Sequence, residues 1–165
     1  MAVREIVRWP DPRLKAKAAA TAAFDDDLRR LADDLLATMR AAPGVGITGP
    51  HVGEPVRLVV LELTPGEVRI YVAPVMIEAS AERIRHVEGS VSMPGVVEEV
   101  ERAARVRVGF RDLDGAPHEE EAEGFLAVCL QHEIDQLDGL FWIERLSRLK
   151  RDRAVKRWDK LRRRG

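Results

Sequence analysis

The sequence Gln131-His132-Glu133-Ile134-Asp135-Gln136-Leu137-Asp138-Gly139 carries most of a metal-binding signature. In the H-E-x-x-H pattern, two imidazoles four residues apart on one helical face reach one metal ion, and the glutamate between them acts as general base. His132 and Glu133 fit this pattern, but the fifth position is Gln136. A glutamine carbonyl is a neutral, weakly donating oxygen and a poor replacement for imidazole on zinc or iron. The stretch therefore predicts a hydrolase-type helix with an incomplete ligand set.

Length and composition restrict the class of protein further. The chain has 165 residues, which is enough for one domain with a sizeable core. It contains no apolar run long enough to span a bilayer, and residues 1–5 lack a signal-peptide pattern, so we expect no membrane association. Cys129 is the only cysteine, which excludes an internal disulfide and favours a cytoplasmic location.

Charge is distributed unevenly along the chain. Residues 145–165 contain eleven Lys and Arg and two Asp, a net charge of +9. Because the whole chain has a formal net charge of −1, residues 1–144 carry −10. A basic tail on an acidic body predicts a polyanionic partner for the tail. The alternative is a basic helix that only packs on the acidic body.

The hydrophobic pattern predicts three helices. The first starts after the N-cap candidates Asp25–Asp27 and ends at Pro43-Gly44, and the second covers Phe125–Leu137. The third starts at Leu146. The predicted apolar stripe of the first helix is Leu28, Leu31, Leu35 and Met39, and that of the third is Leu149, Val155, Trp158 and Leu161.

Strands are predicted between the first and second helices, where β-branched residues are frequent. Asp112–Gly115 is typical of a hairpin turn. The predicted strands are 57–63, 69–73, 82–88, 96–111 and 117–123. No repeat or linker is found, so we predict one α+β domain over residues 1–165, with the basic helical extension 145–165.

Three segments resemble motifs of one family, in the same order and with similar separation. Gly44–His51 (GVGITGPH) resembles the G-x-G-(I/L)-A-A-x-Q loop of peptide deformylases. Glu88–Ser92 (EGSVS) resembles their E-G-C-L-S motif, and Gln131–Gly139 resembles Q-H-E-x-D-H-L-x-G. The resemblance covers nearly the whole chain. It implies the peptide-deformylase fold, in which antiparallel sheets surround a central motif helix and a further helix lies at the C-terminus.

The resemblance also implies a chemistry and the positions that carry it. Peptide deformylases remove the N-formyl group from new bacterial polypeptides with iron or a substituting divalent metal. The family's metal ligands fall on Ser90, His132 and Gln136, and its general base falls on Glu133. Its loop glutamine, which hydrogen-bonds the reacting oxygen, falls on His51. Three of these five positions have changed.

The changes at the ligand positions predict a weakened metal site. A Ser hydroxyl is neutral near pH 7 and does not replace a thiolate, so His132 is the only strong ligand retained. We therefore expect no metal, or a weakly bound iron, nickel or zinc ion. Most or all deformylase activity should be lost with it.

The resemblance implies that the peptide groove is better preserved than the metal centre. Family positions that pair an extended peptide through backbone groups fall on Val45, Gly46, Gly89 and Val91. Cys129 falls in the apolar pocket for the first side chain, where it acts as a small hydrophobic residue. The expected ligand is an N-formylated or other peptide N-terminus. An ion pair between Glu88 and Arg102 is also implied.

Several alternatives remain open at this point. His51 and His132 could form a rebuilt metal site in an active formyl-amide hydrolase, with Cys129 as a further ligand. Ser90 could act as a nucleophile activated by His132. A third hypothesis is a ribosome-associated interaction protein, since deformylases of this type dock on the ribosome through their C-terminal helix. The other two histidines, His86 and His118, are predicted to be exposed strand and loop residues.

Overall fold

The computed structural model describes residues 1–20 and 23–165 of the chain. Its α-helices are α1 (Asp26–Ala41), α2 (Gly124–Leu137) and α3 (Arg148–Arg164). Its strands are β1 (Gly46–Thr48), β2 (Leu58–Leu61), β3 (Arg69–Ala79), β4 (Arg83–Glu88), β5 (Glu98–Ala103), β6 (Arg105–Arg111) and β7 (Pro117–Glu123). Short 3-10 turns cover Pro12–Lys15, Gly49–Val52 and Trp142–Arg145.

Helix α1 forms where local capping and periodicity predict it. The Asp25 side chain accepts a hydrogen bond from the Leu28 backbone N–H, which satisfies one of the free donors of the first turn. All four residues of the predicted stripe are buried, and they pack on Ile47 and on residues of β2 and β3. The helix ends just before Pro43, as predicted.

The strands form two antiparallel sheets around α2. The larger sheet has the order β1-β2-β3-β6-β7, and β4 and β5 form a separate pair. Helix α2 contacts strands of both sheets, and Leu130 and Ile134 lie in a core cluster with residues such as Tyr71 and Val108. This is the predicted fold class, mixed helix and sheet with the motif helix at the centre.

The predicted strand 96–111 was wrong as a single element. It is divided at Ala104, so that β5 belongs to the small sheet and β6 to the large one. The Ala104 backbone leaves both ladders, because its N–H donates to the Glu82 carbonyl and its carbonyl accepts from Gly124 N–H. Strand β3 is longer than predicted and runs to Ala79, since its outer half pairs with β6 beyond a bulge.

Helix α3 packs on the body through fewer apolar residues than predicted. Ala154 and Trp158 are buried, Val155 of the predicted stripe is partly buried against the same cluster, and the Trp158 indole N–H donates to the Trp9 carbonyl (2.9 Å). Leu149 is 62% exposed, so its place in the stripe was wrong, and Leu161 lies at the exposed margin. The basic residues of α3 consequently face outward or lie at the helix edge. No helix in residues 1–20 and 23–165 has the length and apolar character needed to cross a membrane.

Candidate functional site

A cavity of about 450 Å³ lies between the segment before β1, the segment after β4 and one face of α2. It brings together residues from all three motif segments. Those that line it and that the sequence singled out are Val45, Gly46, His51, Glu88, Gly89, Ser90, Val91, Cys129, His132 and Glu133. Gln136 is not among the residues that line it. Of the predicted site residues, the fold therefore gathers all but one.

His132 is held in the cavity wall by a chain of buried charges. Its Nδ1 lies 2.8 Å from Glu88 Oε1, and Glu88 accepts two hydrogen bonds from Arg102 (2.6 and 2.8 Å). Burial tends to raise the pKa of Glu88, but the hydrogen bonds from Arg102 and His132 outweigh it and hold this pKa at about 2. The predicted pairing of Glu88 with Arg102 is thus present. Arg102 also donates to Asp135 (2.9 Å), which pairs in turn with Arg145.

The same surroundings act on the imidazole of His132. Burial tends to lower its pKa, but the carboxylates of Glu133 and Glu88 outweigh burial and raise it. Because Nδ1 faces Glu88, only Nε2 points toward the cavity, at 3.7 Å from Glu133 Oε1. Both ring nitrogens therefore face carboxylates.

Glu133 lies between two histidines at the base of the cavity. Its Oε2 is 3.9 Å from His51 Nδ1 and has no hydrogen-bond partner in the part of the chain that the structure describes. Burial raises the pKa of Glu133 to about 7. A Cβ atom on Gly46 would lie 3.0 Å from Glu133 Oε1 and 2.9 Å from a Leu61 methyl, so the loop approaches α2 this closely only with glycine.

His51 has its orientation set by its own turn. The sequence Thr48-Gly49-Pro50-His51 forms a capping arrangement in which the Thr48 backbone N–H donates to His51 Nδ1 (2.9 Å). Nδ1 is therefore an acceptor, and the proton of the neutral ring lies on Nε2. Burial lowers the pKa of His51 to about 3, so the ring is neutral. Within the described residues Nε2 has no partner.

Ser90 and Gln136 each hydrogen-bond to nearby backbone. The Ser90 hydroxyl accepts from the Ser92 N–H (3.1 Å), and no hydrogen bond joins it to His132 in the described structure. The Gln136 amide donates to the Leu14 carbonyl (2.8 Å), away from the cavity. Since His132 faces carboxylates and not Ser90, the arrangement gives no support to a serine nucleophile.

Cys129 and its neighbours form the apolar part of the cavity. Phe125 and Val128 line it beside Cys129, and burial raises the pKa of this thiol to about 12. A thiol so far from ionisation suits a small apolar residue better than a metal ligand. Across residues 1–20 and 23–165, no group of three or more His, Cys, Asp or Glu has an arrangement that could hold a metal ion.

The remaining histidines lie outside the cavity. His86 lies on β4, half-buried, and its ring is 4.7 Å from that of Phe125. His118 is exposed as predicted, but it lies on β7 and not in a loop, where its Nε2 is 2.7 Å from Asp112 Oδ2. Sequence reasoning missed Thr48 as the partner of His51. The T-x-x-H spacing at a turn start resembles a capping box and was the available signal.

Comparison with known proteins decides the family. The sequence profile described as "Polypeptide deformylase" matches residues 3–152. The chain belongs to the polypeptide deformylase family. A relative named "Peptide deformylase-like" from Brucella melitensis biotype 1 is 61% identical over 164 residues, covering 99% of this chain and 100% of the relative. A protein of Nitrobacter hamburgensis named "Peptide deformylase" is 44% identical, covering 97% and 96%.

Solved structures agree with this assignment. The crystal structure of a peptide deformylase from Legionella pneumophila matches with a TM-score of 0.93 and 38% identity, over 98% of this chain and 96% of that one. The deformylase fold inferred from the three motifs is therefore confirmed, including the C-terminal helix. The cavity lies among the three segments that resemble the family's motifs. The roles of its individual residues are predictions.

Proposed function

We propose that this member of the deformylase family binds the N-terminal segment of a peptide in the cavity, and that it removes N-formyl groups weakly or not at all. One observation carries the second half of the proposal. Gln136 stands where the family has its second ligating histidine, and its amide is bound to the Leu14 carbonyl outside the cavity.

The donors that remain do not fit the family's metal ion. A site of this type needs strong donors and one open position for water. Here His132 Nε2 is the only imidazole nitrogen at the family ligand positions, and Ser90 contributes a neutral hydroxyl. A bound metal ion can lower the pKa of its water from about 15.7 to about 7. Without the ion, Glu133 would have to deprotonate water of unchanged pKa. We therefore infer a strong loss of hydrolysis.

Peptide binding depends on features that these changes leave in place. Strand β1 is hydrogen-bonded to β2, and in the described residues it has no strand on its other side. An extended peptide can pair with such an edge through backbone groups, while alternate side chains enter pockets. Gly46 and Gly89 line the cavity, and the apolar pocket beside Cys129 suits a first side chain.

The test combines three measurements on the full chain. Metal content after anaerobic purification should be well below one ion per chain, and hydrolysis of a formyl-Met peptide should be weak or undetectable. Calorimetry should detect binding of short Met-peptides. Cys129→Phe should weaken it at least about tenfold by filling the pocket, whereas Leu149→Phe on the exposed face of α3 should not. One tightly bound ion held by His132, with turnover, would contradict the proposal.

A second role rests on a separate observation. Helix α3 buries only Ala154 and Trp158, so its outer surface is a band of positive charge. We propose that this surface contacts a polyanion such as the ribosome. Phosphate contacts of this kind supply affinity without sequence specificity and weaken with salt.

A further inference from the structure

Helix α3 supports one wall of the cavity from outside. This wall is the segment 89–97, between β4 and β5, and we call it the wall segment. Its residues 89–91 and 94–97 line the cavity. Met93 does not line it and is instead fully buried in a core cluster that contains Trp158 of α3. The same short segment therefore borders the cavity and packs on the helix.

Two contacts join α3 directly to residues that line the cavity. The Arg157 guanidinium donates a hydrogen bond to the Val97 carbonyl (3.0 Å). One turn further along, Leu161 lies against Gly95, where an added Cβ atom would be only 3.0 Å from the leucine methyl. The backbone of the wall segment is thus held by one polar and one apolar contact with the helix.

Arg157 takes part in two surfaces. Its side chain is exposed, so it belongs to the basic outer surface of α3 as well as to the contact with Val97. A phosphate oxygen carries charge that a peptide carbonyl lacks, and arginine can bind phosphate through two parallel N–H···O bonds. A phosphate group at α3 is therefore a stronger acceptor for this guanidinium than the Val97 carbonyl is.

We infer that a polyanion on α3 and the Val97 carbonyl compete for Arg157, so that occupancy of α3 loosens the wall segment and opens the cavity. The switching element is the guanidinium, which bonds either to the carbonyl or to a phosphate group. Coupling between two sites is reciprocal, so a tightly held wall segment also weakens polyanion binding. The inference rests on the polyanion binding proposed above for α3 and requires no particular ligand in the cavity.

The expected size of the effect is that of one hydrogen bond. The contact of Leu161 with Gly95 and the buried Met93 side chain stay in place when Arg157 leaves, so the wall segment stays folded. Loss of a single hydrogen bond of this kind changes a local opening equilibrium by on the order of fivefold.

The experiment measures amide hydrogen exchange in the full chain, with and without a short inorganic polyphosphate whose binding is followed by calorimetry. The reporters are the N–H groups of Met93 and Val96, which donate to the carbonyls of Ser90 (3.0 Å) and Met93 (3.4 Å). Polyphosphate should speed their exchange on the order of fivefold. A second readout is alkylation of Cys129 by iodoacetamide, which should also become faster. Cys129 is the only cysteine and lines the cavity, so this reaction reports on the cavity alone.

Two variants of α3 separate the hydrogen bond from the charge. Arg157→Met cannot donate to Val97, so its wall segment should exchange faster without polyphosphate and respond no further when polyphosphate binds. Lys156→Met is the matched control, because it removes the same charge at the exposed neighbouring position. It should exchange like the wild-type protein and still respond to polyphosphate.

The outcomes separate this inference from the proposed role of α3. If polyphosphate binds but exchange in the wall segment is unchanged, the coupling is wrong and polyanion binding stands. If polyphosphate does not bind even at low salt, the proposed role fails and the coupling fails with it. Equal exchange in Arg157→Met and the wild-type protein would show that the bond to Val97 does not hold the wall. The comparison with and without polyphosphate uses the unaltered chain, so it decides the question even if a variant does not fold.

Discussion

Replacing Arg102 by methionine should be among the most destabilising single changes in this protein. The Arg102 and Glu88 side chains are only 3% and 4% exposed, and Arg102 donates two hydrogen bonds to Glu88 and one to Asp135. Methionine fills similar space but leaves Glu88 as a buried carboxylate whose only remaining side-chain partner among the described residues is His132. Removing one member of a buried ion pair costs about 3–5 kcal/mol. For a chain of this size, this lowers Tm by on the order of 10 °C.

Urea denaturation followed by tryptophan fluorescence measures this loss directly. The matched control is Arg105→Met, because Arg105 pairs with Glu82 at the surface, where the two side chains are 56% and 61% exposed. Exposed pairs contribute about 0–1 kcal/mol, so this control should be nearly neutral. Adding Glu88→Gln to Arg102→Met should recover about 2 kcal/mol, since the neutral amide no longer needs a counter-charge. A cost for Arg102→Met no larger than that of the control would refute the reasoning.

Three further predictions concern pH, the tail and the metal site. The folded-state pKa of His51 is about 3 against 6.5 unfolded, so only the unfolded chain takes up this proton on acidification. When the pH falls from 6.5 to 4.5, the unfolding free energy of the wild-type protein should decrease by about 2 kcal/mol more than that of His51→Gln. Urea denaturation at both pH values measures the two decreases. Equal decreases would show that His51 is charged or exposed when folded. Arg163→Gln with Arg164→Gln should weaken ribosome co-sedimentation and reduce its salt dependence. The control, Arg83→Gln with Arg85→Gln on the exposed face of β4, should have no such effect. Equal effects of the two double variants would exclude specific docking through α3. Gln136→His with Ser90→Cys should give metal binding with some deformylation. Adding His51→Gln should raise kcat further, by up to about 10²–10³-fold, because the glutamine amide is expected to stabilise the transition state. Full metal loading of the triple variant without any turnover would show that the groove has diverged as well.

The parts of the fold that were predictable depend on local chemistry. The start of α1 follows from the Asp25 cap, and its end from Pro43-Gly44, so both boundaries lie close to where the sequence placed them. The motif helix was predicted over Phe125–Leu137 from its apolar periodicity and lies at Gly124–Leu137. Short-range hydrogen bonds and helical periodicity determine these features, and both can be seen in a single sequence.

The parts that were not predictable depend on distant partners. The division of residues 96–111 at Ala104 occurs because β5 and β6 pair with different strands, which β-branched composition cannot indicate. Leu149 has the spacing of an apolar stripe but is 62% exposed, because α3 packs on the body through Ala154 and Trp158, with Val155 partly buried beside them. The contact of Gln136 with Leu14 joins residues 122 positions apart, so no local pattern shows it.

The family residues that this chain retains differ physically from those that it has replaced. Glu88 bonds to both Arg102 and His132 in the buried interior, where the loss of Glu88 or Arg102 removes the main counter-charge of the other. The three replaced positions, 51, 90 and 136, each bond to a backbone group, so exchange at these sites leaves no buried charge behind. Stability therefore accounts for the retention of His132 with its partners Glu88 and Arg102, but not for that of Glu133, whose Oε2 has no hydrogen-bond partner among the described residues. His132 and its buried partners are therefore evidence for the deformylase fold, whereas the activity is decided by the metal and formyl-peptide measurements proposed above.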